Sequence, residues 1–289
     1  MEPILGAHLS IAGGYYKAAE AAGRIGFQAV QIFTKNNNQW AGKPLSESDQ
    51  EQFRAAVAAH GLVPPIAHNS YLINLATSDP VLRQKSIDAM VIELERAFRL
   101  GVPHVVAHPG CFVDGDEETG LRLIAKSIDE VFDRTGELPT TIALETTAGQ
   151  GTSLGWRFEH LQAIIERVAH PERTTICVDT CHVFAAGYAL APKRKYMATM
   201  RELDRAVGIE RVVAVHINDS KKPFGSRVDR HEHIGRGFLG DEPFRLLLQD
   251  RRFRNVPMIL ETPKTINPET KTEWDVVNRE RLLMLAGRK

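Results

Sequence analysis

Short apolar runs rich in β-branched residues recur along the 289-residue chain, separated by amphipathic segments of ten to twenty residues, and this alternation restricts it to folds built from successive βα units. The candidate strands are 4–8, 28–33, 63–68, 104–108, 141–145, 175–179, 212–216 and 257–261. Helical patterns lie between them at 13–25, 46–60, 79–100, 117–135, 157–168, 195–207, 242–249 and 273–285. The second opens with Ser46-Glu47-Ser48-Asp49, suited to capping a first turn, and the third has Pro80 just inside its start and Gly101 just past its end. Eight strand–helix units over this length match an α/β (β/α)8 TIM barrel, one domain over residues 1–289. A doubly wound open sheet is the alternative. No linker, repeat or low-complexity tract divides the sequence.

The strand ends carry the chemistry. The runs stop on His8, His68, His108, Glu145, Asp179, His216 and Glu261, so seven of eight end on His, Asp or Glu, residue types that make up about one position in six. Only the second run, ending at Phe33, does not. In a barrel all these ends converge on the C-terminal rim, which is where the active site is expected. A ring of desolvated carboxylates and imidazoles needs compensating positive charge, and divalent metal ions are the natural source. For any single strand-end residue, ordinary emergence into solvent is an adequate explanation. Glu145, Asp179, His216 and Glu261 fall on four consecutive strands, and there it is not.

Two further pairs join the set. His182 lies three residues past Asp179, and Asp229-Arg230-His231 places a carboxylate and an imidazole two apart, on one side of an extended segment. That segment belongs to a loop, 218–240, longer than βα loops ordinarily are. The candidate metal ligands are thus His68, His108, Glu145, Asp179, His182, His216, Asp229, His231 and Glu261. Five imidazoles with four carboxylates favour zinc, or manganese or iron in its place, over the oxygen-seeking magnesium and calcium. Nine ligands suit three ions, particularly if a carboxylate bridges. Three divalent ions would leave about two positive charges in excess of the four carboxylates, which suits a phosphodiester substrate and metal-assisted phosphoryl hydrolysis.

Composition narrows the partner. Lys and Arg number 36, as do Asp and Glu, so binding through a polycationic surface is excluded and positive charge must be local. Lys193-Arg194-Lys195, Lys221-Lys222, Arg227, Arg230 and Arg236 supply it in the loops expected after strands six and seven. Lys35, Asn36, Asn37, Asn38 and Trp40 follow strand two, and Asn69, Tyr71, Leu72 and Asn74 follow strand three, an amide and aromatic mixture suited to backbone or base contacts. Three cysteines with no C-x-x-C pair point to a reducing compartment. With no apolar run of membrane length and no basic and apolar leader at Met1, a cytoplasmic protein without membrane association is expected.

The motifs together resemble the endonuclease IV family of apurinic/apyrimidinic-site repair enzymes. They are G-A-H-L-S-x-A-G-G from Gly6, F-T-K-N from Phe33, H-N-S-Y-L-I-N-L from His68, H-P-G from His108, E-T-T-A-G-Q-G-T-S-L-G from Glu145, D-T-C-H-x-F-A-A-G-Y from Asp179, H-I-N-D-S-K from His216, G-S-R-V-D-R-H from Gly225 and L-E-T-P from Leu260. All nine ligand candidates coincide with the family's metal ligands. The resemblance implies a trinuclear zinc site: His68 and His108 on the first ion, Glu145 bridging to the second, Asp179, His216 and Glu261 completing the second, and His182, Asp229 and His231 holding the third. It implies hydrolysis of the phosphodiester 5′ to an abasic site in duplex DNA, leaving a 3′-hydroxyl, with a metal-bound hydroxide as nucleophile, the third ion steadying the leaving oxygen, and Glu145 and Glu261 as catalytic carboxylates. Tyr71 and Leu72 would enter the minor groove of a kinked duplex with the abasic nucleotide extruded. Lys35, Asn38, Arg227 and Arg230 are the other expected DNA contacts. Asn36-Asn37-Asn38 departs from relatives that carry a basic residue in that loop, and a barrel of this size needs no partner, so a monomer is expected.

Two rivals remain from the sequence. A sugar isomerase or epimerase on a related barrel needs only Glu145, Asp179, His216 and Glu261, and would leave His68, His108, His182, Asp229, His231 and the basic loops without a use. A lesion-binding protein without hydrolytic activity would be expected to lack a ligand, and none is missing. His8, His233 and Cys181 lie beside the proposed site without a ligand role; His60, His104, His160 and His170 read as structural or surface histidines.

Overall fold

A computed structural model describes residues 2–287; Met1, Arg288 and Lys289, which belong to the expected domain span, lie outside it. Eight parallel strands close into a barrel in the order β1 (Leu5–His8), β10 (Met258–Leu260), β7 (Val212–His216), β6 (Thr174–Asp179), β5 (Thr141–Glu145), β4 (His104–Ala107), β3 (Ile66–His68) and β2 (Ala29–Phe33). The two remaining strands, β8 (Asp219–Ser220) and β9 (His231–Glu232), pair antiparallel as a short ribbon. The (β/α)8 expectation holds and the open sheet does not.

Helices wrap the outside: α1 (Tyr15–Ile25), α2 (Glu47–Ala59), α3 (Pro80–Leu100), α4 (Glu117–Thr135), α5 (Phe158–Ile165), α6 (Thr180–Ala186), α7 (Lys193–Val207), α8 (Asp241–Leu248) and α9 (Trp274–Leu285). Ser46 and Asp49 form the capping box at the start of α2, and Asp79 caps α3 with Pro80 in its first turn. Phe53, Phe132, Phe158 and Phe244 are buried where helices pack on the sheet. No helix among the described residues is long and apolar enough to cross a membrane.

Two departures matter for the site. The sequence reading has no helix at Thr180–Ala186, yet Asp179 caps one there, its carboxylate accepting from the His182 backbone N–H, and Gly187 closes it in the left-handed conformation. Helix α7 starts two residues before the expected 195, so that Lys193 and Arg194 open it instead of lying in a loop.

Inside the barrel a small apolar layer consists of Ala29, Ile66, Val106, Ala143, Cys177, Ala214 and Ile259. Gly6 completes it on β1, because a Cβ there would stand 2.5 Å from the Ala29 carbonyl oxygen and 2.8 Å from Ile259 Cδ1. Side chains alternate faces along a strand, so the residue two positions on from each of these again points inward, one pleat higher. Those residues are His8, Gln31, His68, His108, Glu145, Asp179, His216 and Glu261. The strand register sets His8 against Gln31 and Asp179 against His216 at matching levels. The polar ring is a direct result of strand period and barrel closure.

Candidate metal centre

Glu145 sits at the middle of the ring with no solvent exposure. Its Oε2 lies 3.2 Å from His68 Nε2 and 3.1 Å from His108 Nε2; its Oε1 lies 2.8 Å from His216 Nδ1 and 3.3 Å from His182 Nδ1. One carboxylate therefore addresses two groups of imidazoles with its two oxygens. His216 Nδ1 also lies 3.1 Å from Glu261 Oε2 and 4.0 Å from Asp179 Oδ2. On the outer side His182 Nε2 lies 3.1 Å from Asp229 Oδ2, and His231 Nε2 lies 3.4 Å from Asp229 Oδ1 and 3.5 Å from Asp179 Oδ2.

The ring nitrogens facing these carboxylates are fixed from behind. A backbone carbonyl only accepts, so His68 Nδ1 carries a proton and donates to Asn69 O at 2.9 Å, and His182 Nδ1 does the same to Thr146 O at 2.8 Å. Each Nε2 then presents a lone pair to carboxylate oxygens, an arrangement that repels unless a cation stands between them. His182 Nε2 and His231 Nε2 are buried with no hydrogen-bond partner. The arrangement suits metal ions: ligand atoms of His68, His108 and Glu145, of Glu145, Asp179, His216 and Glu261, and of His182, Asp229 and His231 each fall within 4.8 Å of one another. Asp179, Cys181 and His231 form a fourth such group, although Cys181 Sγ donates to Arg230 O at 3.7 Å and burial pushes its thiol up to about 12.

With no metal, protons take the cation's place. Burial disfavours the charged forms of His216 and His182, but Glu261 and Glu145 beside the first, and Asp179 and Asp229 beside the second, hold both well above the ordinary imidazole value. Burial would raise Glu145 and Glu261 too, and His216 and the other imidazoles hold both well below the carboxylate range. Asp229 is lowered in the same way, chiefly by His182 once its burial is overcome.

Above the ring a cavity of about 420 Å³ is lined by His68, Tyr71, His108, His182, Asp229, Arg230, His231, Glu261 and Pro263. The loop that brings in Asp229 and His231 is organised by Asp219, a buried carboxylate that accepts from the backbone N–H groups of Ser220, Gly235, Gly237 and Leu239 at 2.7–3.0 Å. Gly237 is required there, since a Cβ would come within 2.3 Å of Ser220 O.

A family model described as a xylose isomerase-like TIM barrel matches residues 19–278. A probable endonuclease 4 of Trichlorobacter lovleyi is 50% identical over 264 residues, covering 91% of this chain and 94% of that protein. The chain belongs to the endonuclease IV family. It is therefore an enzyme of the nuclease class. The crystal structure of endonuclease IV from Thermus thermophilus matches with a TM-score of 0.86 at 36% identity over 99% of each chain. A D-tagatose 3-epimerase-like protein matches at a TM-score of 0.73 and 18% identity, over 99% of this chain and 98% of that one, a likeness of fold alone.

The surface side chains of this endonuclease IV-family barrel sort unevenly. Tyr71 is exposed and meets Phe33 edge-on, its ring centroid 5.6 Å from that of His68, and Leu72 is half-buried beside it. Asn38, Arg227 and Arg230 are exposed. The Arg227 guanidinium lies 3.7 Å from the ring centre of Trp156. Lys35 is buried, its Nζ 2.8 Å from Glu93 Oε1 and 3.0 Å from Gln39 O, so here it anchors its own loop.

Three residues were missed. Gln31 accepts from His216 Nε2 at 2.8 Å and donates to Glu261 Oε1 at 2.7 Å. Asn218 donates to Asp179 Oδ2 at 2.7 Å and accepts from the Glu261 backbone N–H at 2.8 Å. Thr146 holds the Asp179 N–H with its hydroxyl at 2.9 Å and His182 with its carbonyl. Counting two residues on from Ala29, as on the other strands, would have found Gln31; Asn218 and Thr146 lie just past strand ends and carry no such signal.

Proposed function

We propose that this barrel, acting as one domain, repairs DNA by hydrolysing the phosphodiester 5′ to abasic sites in duplex DNA, leaving a 3′-hydroxyl, with three zinc ions at its rim. His68, His108 and Glu145 would hold the first, Glu145, Asp179, His216 and Glu261 the second, and His182, Asp229 and His231 the third. The observation that carries this reading is the divided carboxylate of Glu145, whose Oε2 faces His68 and His108 and whose Oε1 faces His216. Zinc, when bound, supplies Lewis acidity to phosphoryl oxygens and brings the deprotonation of water toward neutral pH.

The chain's own groups do the rest. Hydrogen bonds behind His68 and His182 set their ring orientation before any substrate arrives. Complete burial of Glu145, Asp179 and His216 keeps bulk water from the inner ring, while the partly exposed His108 and Asp229 leave it open to a phosphate. Tyr71 stands at the cavity edge where a groove would meet it, with Leu72 next in the chain, and Asn38, Arg227 and Arg230 would meet the backbone. Lys35 is not part of this set. A monomer acting in the cytoplasm accords with the reading.

Incision of a duplex carrying a tetrahydrofuran abasic analogue, abolished by prolonged zinc chelation, is the expected result, together with about three zinc ions per chain. Intact duplex alongside isomerisation of a ketose, with a single manganese ion, would instead establish the epimerase chemistry that the shared fold accommodates.

A further inference from the structure

We propose that Gln31 is a positioning residue that fixes which nitrogen of His216 faces the metal cluster, and thereby sets how firmly the second zinc ion is retained. The inference rests on the zinc reading above and extends it to a residue outside the ligand set. Strand β2 is the one strand that contributes no metal-ligand type at its end, and Gln31 is its inward side chain at the level of the ring, fully buried and in register with His8.

The orientation of its amide follows from its neighbours. Glu261 Oε1, 2.7 Å away, can only accept, so the NH2 group of Gln31 must face it; the same group lies 3.0 Å from His8 Nδ1. The amide oxygen is thereby turned to His216 Nε2 at 2.8 Å, which must carry the proton. His216 is left with its Nδ1 lone pair directed at Glu145, Glu261 and Asp179. A half-turn of the amide would set its oxygen against the Glu261 carboxylate and its NH2 against the protonated nitrogen of His216. The amide therefore couples one ligand's tautomer to another ligand's position.

His68 and His182 present the other nitrogen, Nε2, because backbone carbonyls hold their Nδ1. The His216 clamp is a side chain, so it can be altered while the backbone is left in place. Replacing an outer hydrogen-bond partner of a metal-bound histidine typically weakens metal affinity by about 10- to 100-fold.

The test compares wild type with Gln31→Met, similar in length but unable to make the paired hydrogen bonds, and Gln31→Glu, which keeps an acceptor for His216. Zinc per chain is measured after dialysis against graded chelator, and the ring nitrogens of His216 are followed by 15N NMR in zinc-loaded protein labelled at histidine. Expected are loss of about one zinc ion from Gln31→Met at a chelator concentration at least tenfold lower than wild type, a changed His216 nitrogen pattern in that variant, a His216 pattern closer to wild type in Gln31→Glu although its second carboxylate oxygen opposes Glu261, and a fall in kcat larger than any change in KM. Retention of three ions on the wild-type curve with unchanged His216 signals in Gln31→Met overturns the proposal alone. A wild-type protein that binds no zinc overturns the zinc reading as well. If Gln31→Met does not fold, Gln31→Asn, whose amide stops one methylene short of both partners, carries the same expectation.

Discussion

The His68, His108, Glu145, Asp179, His216 and Glu261 side chains stand on or immediately after barrel strands, while Asp229 and His231 arrive on a loop and meet His182 from outside. The strand-borne group is buried or nearly so apart from His108, whose side chain is 38% exposed, and is braced by Gln31, Asn218 and Thr146, bonds that the 39% exposed Asp229 side chain does not share. Strands fix a side chain through many backbone hydrogen bonds shared with two neighbours. A loop must find its fixation elsewhere, and here it comes from the Asp219 carboxylate together with the short β8–β9 pairing and the Lys221 N–H donating to Arg230 O. Two groups of candidate ligands of similar composition are thus held by different means, one by shared strand hydrogen bonds and the other by a loop.

The largest effect belongs to the strand-borne group. Glu261→Gln is expected to lower incision of an abasic duplex by roughly three powers of ten or more, with duplex affinity little changed, because it would disturb the two proposed ion sites that share Glu145. Near-normal cleavage would remove Glu261 from the reaction. Asp229→Asn should cost less, about 10- to 100-fold, and the chelator needed to strip one zinc ion should fall far more than for the remaining two. Equal loss of all three ions would abolish the distinction between loop and strand.

Tyr71→Ala, at the cavity edge beside the His68 ring, should raise KM by about tenfold with a smaller change in kcat, measured on the same duplex. A pure kcat effect would place Tyr71 at the reaction and not in the grip on DNA.

The pH dependence of stability probes the buried ring without its metals. His216 and His182 are raised above an ordinary value of 6.5, so their ion pairs contribute fully below that value and are lost as pH climbs through the raised ones. Glu145 and Glu261 are lowered from 4.5, so their contribution is present above 4.5 and is lost as pH falls through the depressed values. Both contributions coincide between 4.5 and 6.5. Chelated protein should therefore melt highest near pH 5.5 and lower by a few degrees at about pH 8, and zinc-loaded protein should show the reverse order, since imidazoles must lose their protons to ligate. Identical profiles with and without chelator would separate the ring from the metals.

The smallest effect on incision is expected at Lys35. Lys35→Met should leave KM within about twofold of wild type while lowering stability by about 3 kcal/mol, because Glu93 is stranded in a dry site. A raised KM without loss of stability would return Lys35 to the DNA surface and show that this loop is as adjustable as the one carrying Asp229.

Much of this was legible in sequence for a definite reason. Period-two alternation and strand length are local, and closure of the sheet turns them into a ring, so the strand ends could be read without knowing any contact. The expected strand 141–145 and helix 117–135 agree with the structure to the residue. What escaped depends on distant partners. Lys35 reads as a rim cation until Glu93 is seen on the third helix, and Gln31 reads as an ordinary strand polar residue until Glu261 lies beside it. Helix α6 was hidden because Asp179 serves both as a strand end and as a helix cap.

Barrel closure sets β1 beside β10, and His8 Nδ1 comes within 3.3 Å of Glu261 Oε1 across 253 residues of chain. During synthesis Glu261 leaves the ribosome after every other barrel strand, so any intermediate that stops short of β10 lacks both a wall of the barrel and a carboxylate of the second cluster. In a chain of this topology the buried polar ring is complete only when the first barrel strand is met by the last.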